Sequence, residues 1–223
     1  MGYLQESFAN MASGFGKLFC KNEFYADIYE EWLTPFVGKD VTVVEIGTGR
    51  GGSLQVWKHF LGPGAKIYGI DHKGELFYTE DQIIANYLAD QYDIESLKNV
   101  PIDNIDIFID DSSHNSKGQI NTSEVFFPRM KPGGIYIVED IGTSYRFAEY
   151  GGGYRKPGSF IEYCKDMEDW LQINEWKELI PITDPLRKAC AHIIPNQPIF
   201  NTVGMVVFHT GMVIIRKKIK ENY

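Results

Sequence analysis

Hydrophobic and polar positions along the chain switch repeatedly between two periods. Between residues 24 and 36 the large apolar side chains recur at spacings of three and four, which predicts an amphipathic helix. Short β-branched runs predict buried strands at 41–46, 66–70, 105–109 and 134–138. Helical patterns at 53–60 and 117–130 separate these strands, so βαβ crossovers and a parallel sheet are expected.

The end of the chain has a different pattern. Two apolar runs at 203–208 and 212–216 flank a short turn at 209–211, a spacing that predicts an antiparallel hairpin. One long loop is expected at 145–158, where glycines and tyrosines indicate either a mobile cover over a site or an ordinary exposed loop. The stretch 83–98 is ambiguous between the two periods. Taken together, the pattern predicts an α/β fold whose parallel sheet finishes in an antiparallel pair.

Composition narrows the class of protein. The chain has 223 residues, which suits one large domain, and 30 acidic against 22 basic residues give it a net charge of −8. That balance argues against a nucleic-acid partner, which requires a positive face. Three dispersed cysteines indicate a reducing compartment. Without a secretory leader pattern or an apolar run of the ~18 residues that a membrane span needs, we expect a soluble, cytoplasmic protein with no membrane partner.

Acidic residues collect where the predicted parallel strands end. In an open parallel sheet, ligands bind beyond these carboxyl ends. The residues at the four ends are Glu45 with the glycine loop 47–52, then Asp71, then Asp110, Asp111 and His114, and finally Glu139 and Asp140. Helix capping explains any one of these acids, but a shared ligand site explains the whole set better.

The glycine loop after the first strand fits two cofactor patterns. Beginning at Gly47, it satisfies GxGxxG through Gly52, which is typical of a dinucleotide pyrophosphate site, and GxGxG through Gly51. Asp71, about twenty residues further on, suits ribose hydroxyls in either case. The acid at Glu45 would repel a pyrophosphate and attract a cationic sulfonium, so the pattern favours S-adenosylmethionine.

A second group of acids points to a metal. Asp111, Glu139 and Asp140 follow strands that are expected to be neighbours, and carboxylates brought together repel unless a cation neutralises them. Oxygen ligands favour a hard divalent ion, magnesium first and then manganese or calcium. His114 is suited to remove the proton of a hydroxyl bound to that ion, because imidazole titrates near neutral pH. A helix-capping or surface role is the alternative for His114.

The same motifs resemble a known family. Class I S-adenosylmethionine-dependent methyltransferases begin with motifs similar to 45–57 (EIGTGRGGSLQVW) and 67–71 (IYGID). The macrocin and mycinamicin type of metal-dependent sugar O-methyltransferases has motifs similar to 110–114 (DDSSH), 127–134 (FPRMKPGG) and 136–140 (YIVED). The likeness covers most of the chain and departs at one position of the third motif, a serine where relatives usually have glycine.

The resemblance implies a fold and a set of site residues. The fold is Rossmann-like, with a mainly parallel seven-stranded sheet, helices on both faces and a C-terminal antiparallel hairpin, in a single domain made of a helical cap or lid at 1–38 and a core at 39–223. Cofactor contacts fall on Glu45, Gly47, Thr48, Gly49, Ser53, Asp71, Asp90, Gln91 and Asp111. The metal ligands fall on Asp111, Glu139 and Asp140, and the general base on His114. The family has an acid-glutamine pair after its third strand. Asp90-Gln91 matches this pair, which implies a strand at 83–89.

The implied function is methyl transfer from S-adenosylmethionine to a sugar hydroxyl, with Mg²⁺ or Mn²⁺ as the metal. The expected acceptor is a deoxysugar such as rhamnose, on a glycan or a glycosylated natural product. Tyr145, Tyr150 and Tyr154 are candidate acceptor contacts, next to a hinge at 151–153. The aromatic first helix, with Trp32 and Phe36, leaves a homo-oligomer open.

Other functions stay open beside this one. A catechol-type metal-dependent O-methyltransferase is the main alternative, although such enzymes usually have Asp-Asn where this chain has Glu139-Asp140. An NAD-dependent oxidoreductase is less favoured, because it leaves the acidic cluster without a role. A non-catalytic module that only binds S-adenosylmethionine would not need His114 or the metal ligands.

Overall fold

The computed structural model describes residues 2, 4–6, 8, 21, 24–73, 83–146, 148–176, 185 and 198–219. The chain divides into two compact units, Met1–Ser112 and Ser113–Tyr223. The single domain with a cap at 1–38 and a core at 39–223 stays a prediction.

The first unit is a parallel α/β layer. Its elements in chain order are helix α1 (Tyr25–Leu33), a 3₁₀ turn (Thr34–Phe36), β1 (Thr42–Ile46), α2 (Gly52–Leu61), β2 (Lys66–Asp71), β3 (Ile83–Leu88), α3 (Ile94–Lys98) and β4 (Ile105–Asp110). The strands lie in the order β3-β2-β1-β4, all parallel. Ile46 pairs with both Ile70 and Asp110, so the carboxyl ends of three strands lie level with one another. The bounds of α1 and β3 confirm the helix predicted within 24–36 and the strand implied at 83–89.

Aromatic packing holds α1 onto this layer. The ring of Tyr29 on α1 lies 4.5 Å from the ring of Trp57 on α2, and Phe8 meets both edge-on. All three side chains are buried. Aromatic pairs of this kind contribute about 0.5–1.5 kcal/mol beyond the burial of their area. Tyr29 and Leu33 are four residues apart on one helical face, which is the spacing that predicted the helix.

The second unit ends in an antiparallel arrangement. Its elements are helix α4 (Ser116–Phe126), a 3₁₀ turn (Phe127–Arg129), β5 (Met130–Val138), 3₁₀ turns at Ile141–Tyr145 and Ala148–Tyr150, α5 (Phe160–Trp176), a 3₁₀ turn (Pro198–Thr202), β6 (Val203–His209) and β7 (Met212–Lys217). Strand β7 lies between β5 and β6 and is antiparallel to both. The predicted hairpin is confirmed.

Two elements of this unit differ from the sequence-based expectation. The helix expected at 117–130 ends at Phe126, because Pro128 has no backbone N–H to donate to the carbonyl of Glu124 and its ring clashes there. Strand β5 consequently begins at Met130, earlier than expected. Helix α5 was not predicted, although its buried Phe160, Cys164 and Met167 follow the helical period.

Seven strands, mainly parallel and closing with an antiparallel pair, confirm the predicted α/β class. Among the described residues, no helix combines the length and the apolar character that crossing a membrane would require.

Candidate active site

The glycine loop between β1 and α2 is shaped by two different needs. Gly47 has φ +90°, and a Cβ at this position would lie 2.2 Å from the carbonyl oxygen of Asp111, so no larger residue fits. Gly49 has φ +52°, and a Cβ there would meet nothing within 4 Å. The first glycine lets two chain segments approach closely, whereas the second presents bare backbone to open space. A ligand can approach the loop at Gly49.

Asp71 ties this loop to the end of β2. One carboxylate oxygen, Oδ2, accepts a hydrogen bond of 3.1 Å from the N–H of Gly49, and Oδ1 accepts one of 2.9 Å from the N–H of Lys73. The exposed imidazole of His72 lies 3.3 Å from Oδ1. Asp71 is itself buried, so its position is fixed by the folded unit.

Glu45 is a fully buried acid in β1. Its Oε2 accepts hydrogen bonds from Ser53 Oγ at 2.5 Å and from Trp57 Nε1 at 3.1 Å. Burial raises the pKa of Glu45 above its ordinary value, and the nearby Lys21 ammonium acts in the opposite direction. Its Oε1 lies 3.1 Å from Lys21 Nζ. The Lys21 ammonium is therefore the cation that faces this oxygen.

Lys21 is a site residue that sequence reasoning missed. Its side chain is 1% exposed, and Nζ lies 2.6 Å from Asp111 Oδ2 and 3.1 Å from Glu45 Oε1. The same ammonium lies 5.6 Å from the centre of the Trp57 ring and 5.8 Å from that of Tyr29. A single lysine far from the acids in sequence gives no local signal, because only the tertiary fold brings these groups together.

The predicted acid-glutamine pair has two separate environments. Gln91 is buried, and its Nε2 donates to both oxygens of Asp110, at 2.8 Å and 3.0 Å. Asp90 is exposed, and its Oδ1 accepts a hydrogen bond of 2.8 Å from the N–H of Tyr92 in its own turn. Thr48 is buried next to Asn86, with 3.4 Å between Oγ1 and Oδ1. Gln91 thus fixes a buried acid, while the Asp90 carboxylate caps a turn.

The second unit begins with a backbone that is rare for residues with side chains. His114 and Asp140 both have φ +53°, in the left-handed region that favours glycine. Each such conformation costs on the order of 1–3 kcal/mol and is typical of functional sites. His114 Nε2 lies 3.5 Å from Asp140 Oδ2, and Nδ1 is buried without a hydrogen-bond partner among the described residues. The two residues face each other as a pair.

Thr143 fixes both members of this pair through their backbones. Its hydroxyl lies 2.7 Å from the carbonyl oxygen of His114 and 2.9 Å from that of Asp140. The N-cap of α4 is Asn115, so the helix-capping role considered for His114 belongs to its neighbour. Asn115 also donates from Nδ2 to the carbonyl of Glu149 at 2.9 Å.

The remaining predicted site residues are Glu139, which precedes Thr143 along the chain, and three tyrosines that follow it. Glu139 is 1% exposed, and its carbonyl oxygen accepts a hydrogen bond of 3.4 Å from Gln119 Nε2. Tyr145 and Tyr154 are exposed and Tyr150 is half-buried. Gly152 is buried, and a Cβ at this position would lie 2.4 Å from the carbonyl oxygens of both Thr143 and Arg146, in the turn at 143–146. The segment at 151–153 is therefore packed against this turn.

Comparison with known proteins gives the family. No family model matches the chain. The 8-demethyl-8-α-L-rhamnosyl tetracenomycin-C 2′-O-methyltransferase of Streptomyces olivaceus is 34% identical over 203 residues, covering 87% of this chain and 50% of that protein. The mycinamicin VI 2″-O-methyltransferase of Micromonospora griseorubida is 31% identical, covering 81% of this chain and 45% of that protein. The chain belongs to the macrocin and mycinamicin family of class I methyltransferases.

A solved structure agrees with this family. The MycE methyltransferase of the mycinamycin biosynthetic pathway, in complex with Mg and SAH, superposes with a TM-score of 0.77 at 25% identity. The match covers 95% of this chain and 53% of MycE. The chain thus spans about half the length of the relatives it matches.

Proposed function

We propose that this chain is a metal-dependent O-methyltransferase that transfers the methyl group of S-adenosylmethionine to a sugar hydroxyl. The observation that carries the proposal is the order of chemical groups between residues 45 and 114. The glycine loop has open space at Gly49, and Asp71, an acid suited to ribose hydroxyls, is hydrogen-bonded to it. Asp111 and His114, which has a left-handed backbone, follow. The relatives named above support the acceptor class, since their names describe methylation of glycosylated small molecules.

The proposed cofactor contacts lie in the first unit. They are Glu45, Gly47, Thr48, Gly49, Ser53, Asp71, Asp90, Gln91 and Asp111. The donor set fits S-adenosylmethionine, because Asp71 can accept hydrogen bonds from ribose hydroxyls and the loop offers bare backbone. Glu45 supplies a buried carboxylate whose Oε1 already faces a positive charge, the Lys21 ammonium at 3.1 Å, which supports a place for a cationic sulfonium here. A pyrophosphate would meet repulsion at the same place.

The proposed metal ligands are Asp111, Glu139 and Asp140. All three offer carboxylate oxygens, and this donor type selects Mg²⁺, with Mn²⁺ as the second choice. When bound, the ion would lower the pKa of an acceptor hydroxyl and fix its orientation. Two vicinal hydroxyls of a sugar suit such an ion, and orientation of this kind is worth several kcal/mol of the barrier.

His114 is the proposed general base. Because Nδ1 is buried, the proton of the acceptor hydroxyl is taken at Nε2. Asp140 Oδ2 lies 3.5 Å from this nitrogen and can orient the ring. S-adenosylmethionine, when bound, would supply the methyl group, and transfer to the acceptor oxygen would leave a methyl ether and S-adenosylhomocysteine, with the hydroxyl proton held on His114.

Three further parts of the proposal concern the surroundings of the site. Tyr145, Tyr150 and Tyr154 are proposed acceptor contacts, supported by the exposure of the first and last. A homo-oligomer through α1 is supported only by its half-exposed Trp32. A cytoplasmic location is supported by the dispersed cysteines.

The test is a methyl-transfer assay with isotopically labelled S-adenosylmethionine. Acceptors are rhamnosyl glycosides of a polyketide aglycone, the matching 2-deoxy glycosides and a catechol, each with Mg²⁺ and after chelation of the metal. We expect labelled methyl ether on the vicinal-diol sugars, dependent on Mg²⁺. Methylation of the catechol alone would replace the sugar by the catechol as acceptor. Cofactor binding with no transfer to either class would contradict an enzymatic role.

A further inference from the structure

Lys21 carries a charge in a place where a free charge would be costly. Its side chain is 1% exposed, and a buried ammonium must be paired to be tolerated. The partners are two acids of the first unit: Asp111, whose Oδ2 is 2.6 Å from Nζ, and Glu45, whose Oε1 is 3.1 Å away. Lys21 therefore neutralises the two acids that would otherwise repel each other.

Two aromatic rings complete the surroundings of the Lys21 ammonium. The aromatic faces of Trp57 and Tyr29 lie 5.6 Å and 5.8 Å from Nζ, within the range of cation–π attraction. Trp57 is fixed there, since its Nε1 donates to Glu45 Oε2 and its ring packs on Tyr29. Two carboxylates and two aromatic faces thus form a binding place for positive charge, and the chain fills it with its own side chain.

The same two acids belong to the proposed function. Glu45 is a proposed contact of the sulfonium cofactor, and Asp111 is a proposed metal ligand. An ion that binds Asp111 Oδ2 and the Lys21 ammonium compete for one oxygen. Two cations held close together in a buried pocket also repel strongly, because the effective dielectric constant there is low. Binding of the metal ion and cofactor therefore works against the contacts of Lys21 with Asp111 and Glu45.

We propose that Lys21 is a built-in counter-cation that holds Glu45 and Asp111 until the metal ion and the cofactor displace it. The inference rests on the proposed function. It predicts that Lys21 stabilises the unloaded protein and weakens metal binding. A hydrogen bond to a charged group that must be broken before the ion binds corresponds to an affinity loss of about tenfold or more.

The experiment is calorimetric titration of the metal-free protein with Mg²⁺ alone, paired with thermal unfolding. Lys21→Met keeps the aliphatic stem against Trp57 and removes the charge, whereas Lys21→Arg keeps the charge. The matched control is Lys58→Met, since Lys58 is also buried in the first unit but its Nζ donates to the carbonyls of Pro63 and Ala65. All variants are compared with the unaltered chain.

We expect Lys21→Met to bind Mg²⁺ about tenfold or more tightly, to unfold at a lower temperature without metal, and to gain more from added Mg²⁺. Lys21→Arg and Lys58→Met should keep the original affinity. If the original chain binds Mg²⁺ and Lys21→Met binds it equally or more weakly, the counter-cation role is wrong while the proposed function stands. If neither binds Mg²⁺, the metal-dependent function itself is contradicted, and the inference with it.

Discussion

The two units hold their chemical groups by different means. In the first unit, Glu45 and Asp71 are buried and bonded to a hydroxyl, an indole and backbone N–H groups. In the second, His114 and Asp140 are partly exposed, face each other at 3.5 Å and have left-handed backbones. Hydrogen bonds thus hold the acids of the first unit in place, whereas the left-handed backbone next to Thr143 orients the proposed base. Substitutions in the two halves should therefore fail in different ways.

The largest effect is expected from removing the base. His114→Ala should lower the rate of methyl transfer by about 10²–10⁴-fold, the usual contribution of a positioned general base. Affinity for S-adenosylhomocysteine should stay within about twofold, because the proposed cofactor contacts lie in the first unit. The control is His59→Ala, an exposed histidine on α2. Transfer measured under single-turnover conditions and calorimetry separate the two readouts, and a large loss of cofactor affinity would contradict the division of roles.

A substitution in the first unit should instead cost stability. In Gly47→Ala the new Cβ would lie 2.2 Å from the Asp111 carbonyl, in a backbone with φ +90°. We expect the free energy of unfolding to fall by about 1–3 kcal/mol from the clash and by ~1–2 kcal/mol from the left-handed backbone. Gly142→Ala, where a Cβ meets nothing within 4 Å, is the control. Urea unfolding checks this, and equal effects at the two glycines would show that the loop is not closely packed.

A smaller effect is expected for the acid that holds the loop. Asp71→Asn removes the charge that accepts from Gly49 and Lys73, so affinity for S-adenosylhomocysteine should fall about 10- to 100-fold. Asp93→Asn is a matched control, since Asp93 also accepts from two backbone N–H groups but does so at the start of α3. Calorimetry of both variants decides the matter. Loss of affinity in both would mean that general destabilisation is responsible.

The smallest effect concerns how well the second unit shields its buried cysteine from solvent. Burial raises the pKa of the Cys164 thiol well above its ordinary value, so the reactive thiolate is depleted at pH 8. In a chain with Cys20→Ser and Cys190→Ser, alkylation of Cys164 should be at least about tenfold slower in the folded protein than in urea. Mass spectrometry follows the reaction. Rapid labelling without urea would indicate that α5 opens readily.

The sequence predicted the elements whose period and ends are local. Strands β1, β2 and β4 were found because β-branched runs stop at glycine or aspartate, and the site acids could be named because parallel strands end at one edge. Helix α5 was missed although its buried residues, Phe160, Cys164 and Met167, have helical spacing. Lys21 could not have been found at all. Its partners are brought to it by tertiary packing, for which a single lysine gives no signal.

The central claim is that the loop after β1 binds S-adenosylmethionine and not a dinucleotide. Calorimetric titration of the unaltered chain with S-adenosylhomocysteine and with NAD, each with and without Mg²⁺, tests it most directly. We predict binding of S-adenosylhomocysteine in the micromolar range and no heat from NAD. Binding of NAD with no detectable S-adenosylhomocysteine binding would contradict the methyltransferase account and leave the strand-end acids as helix caps.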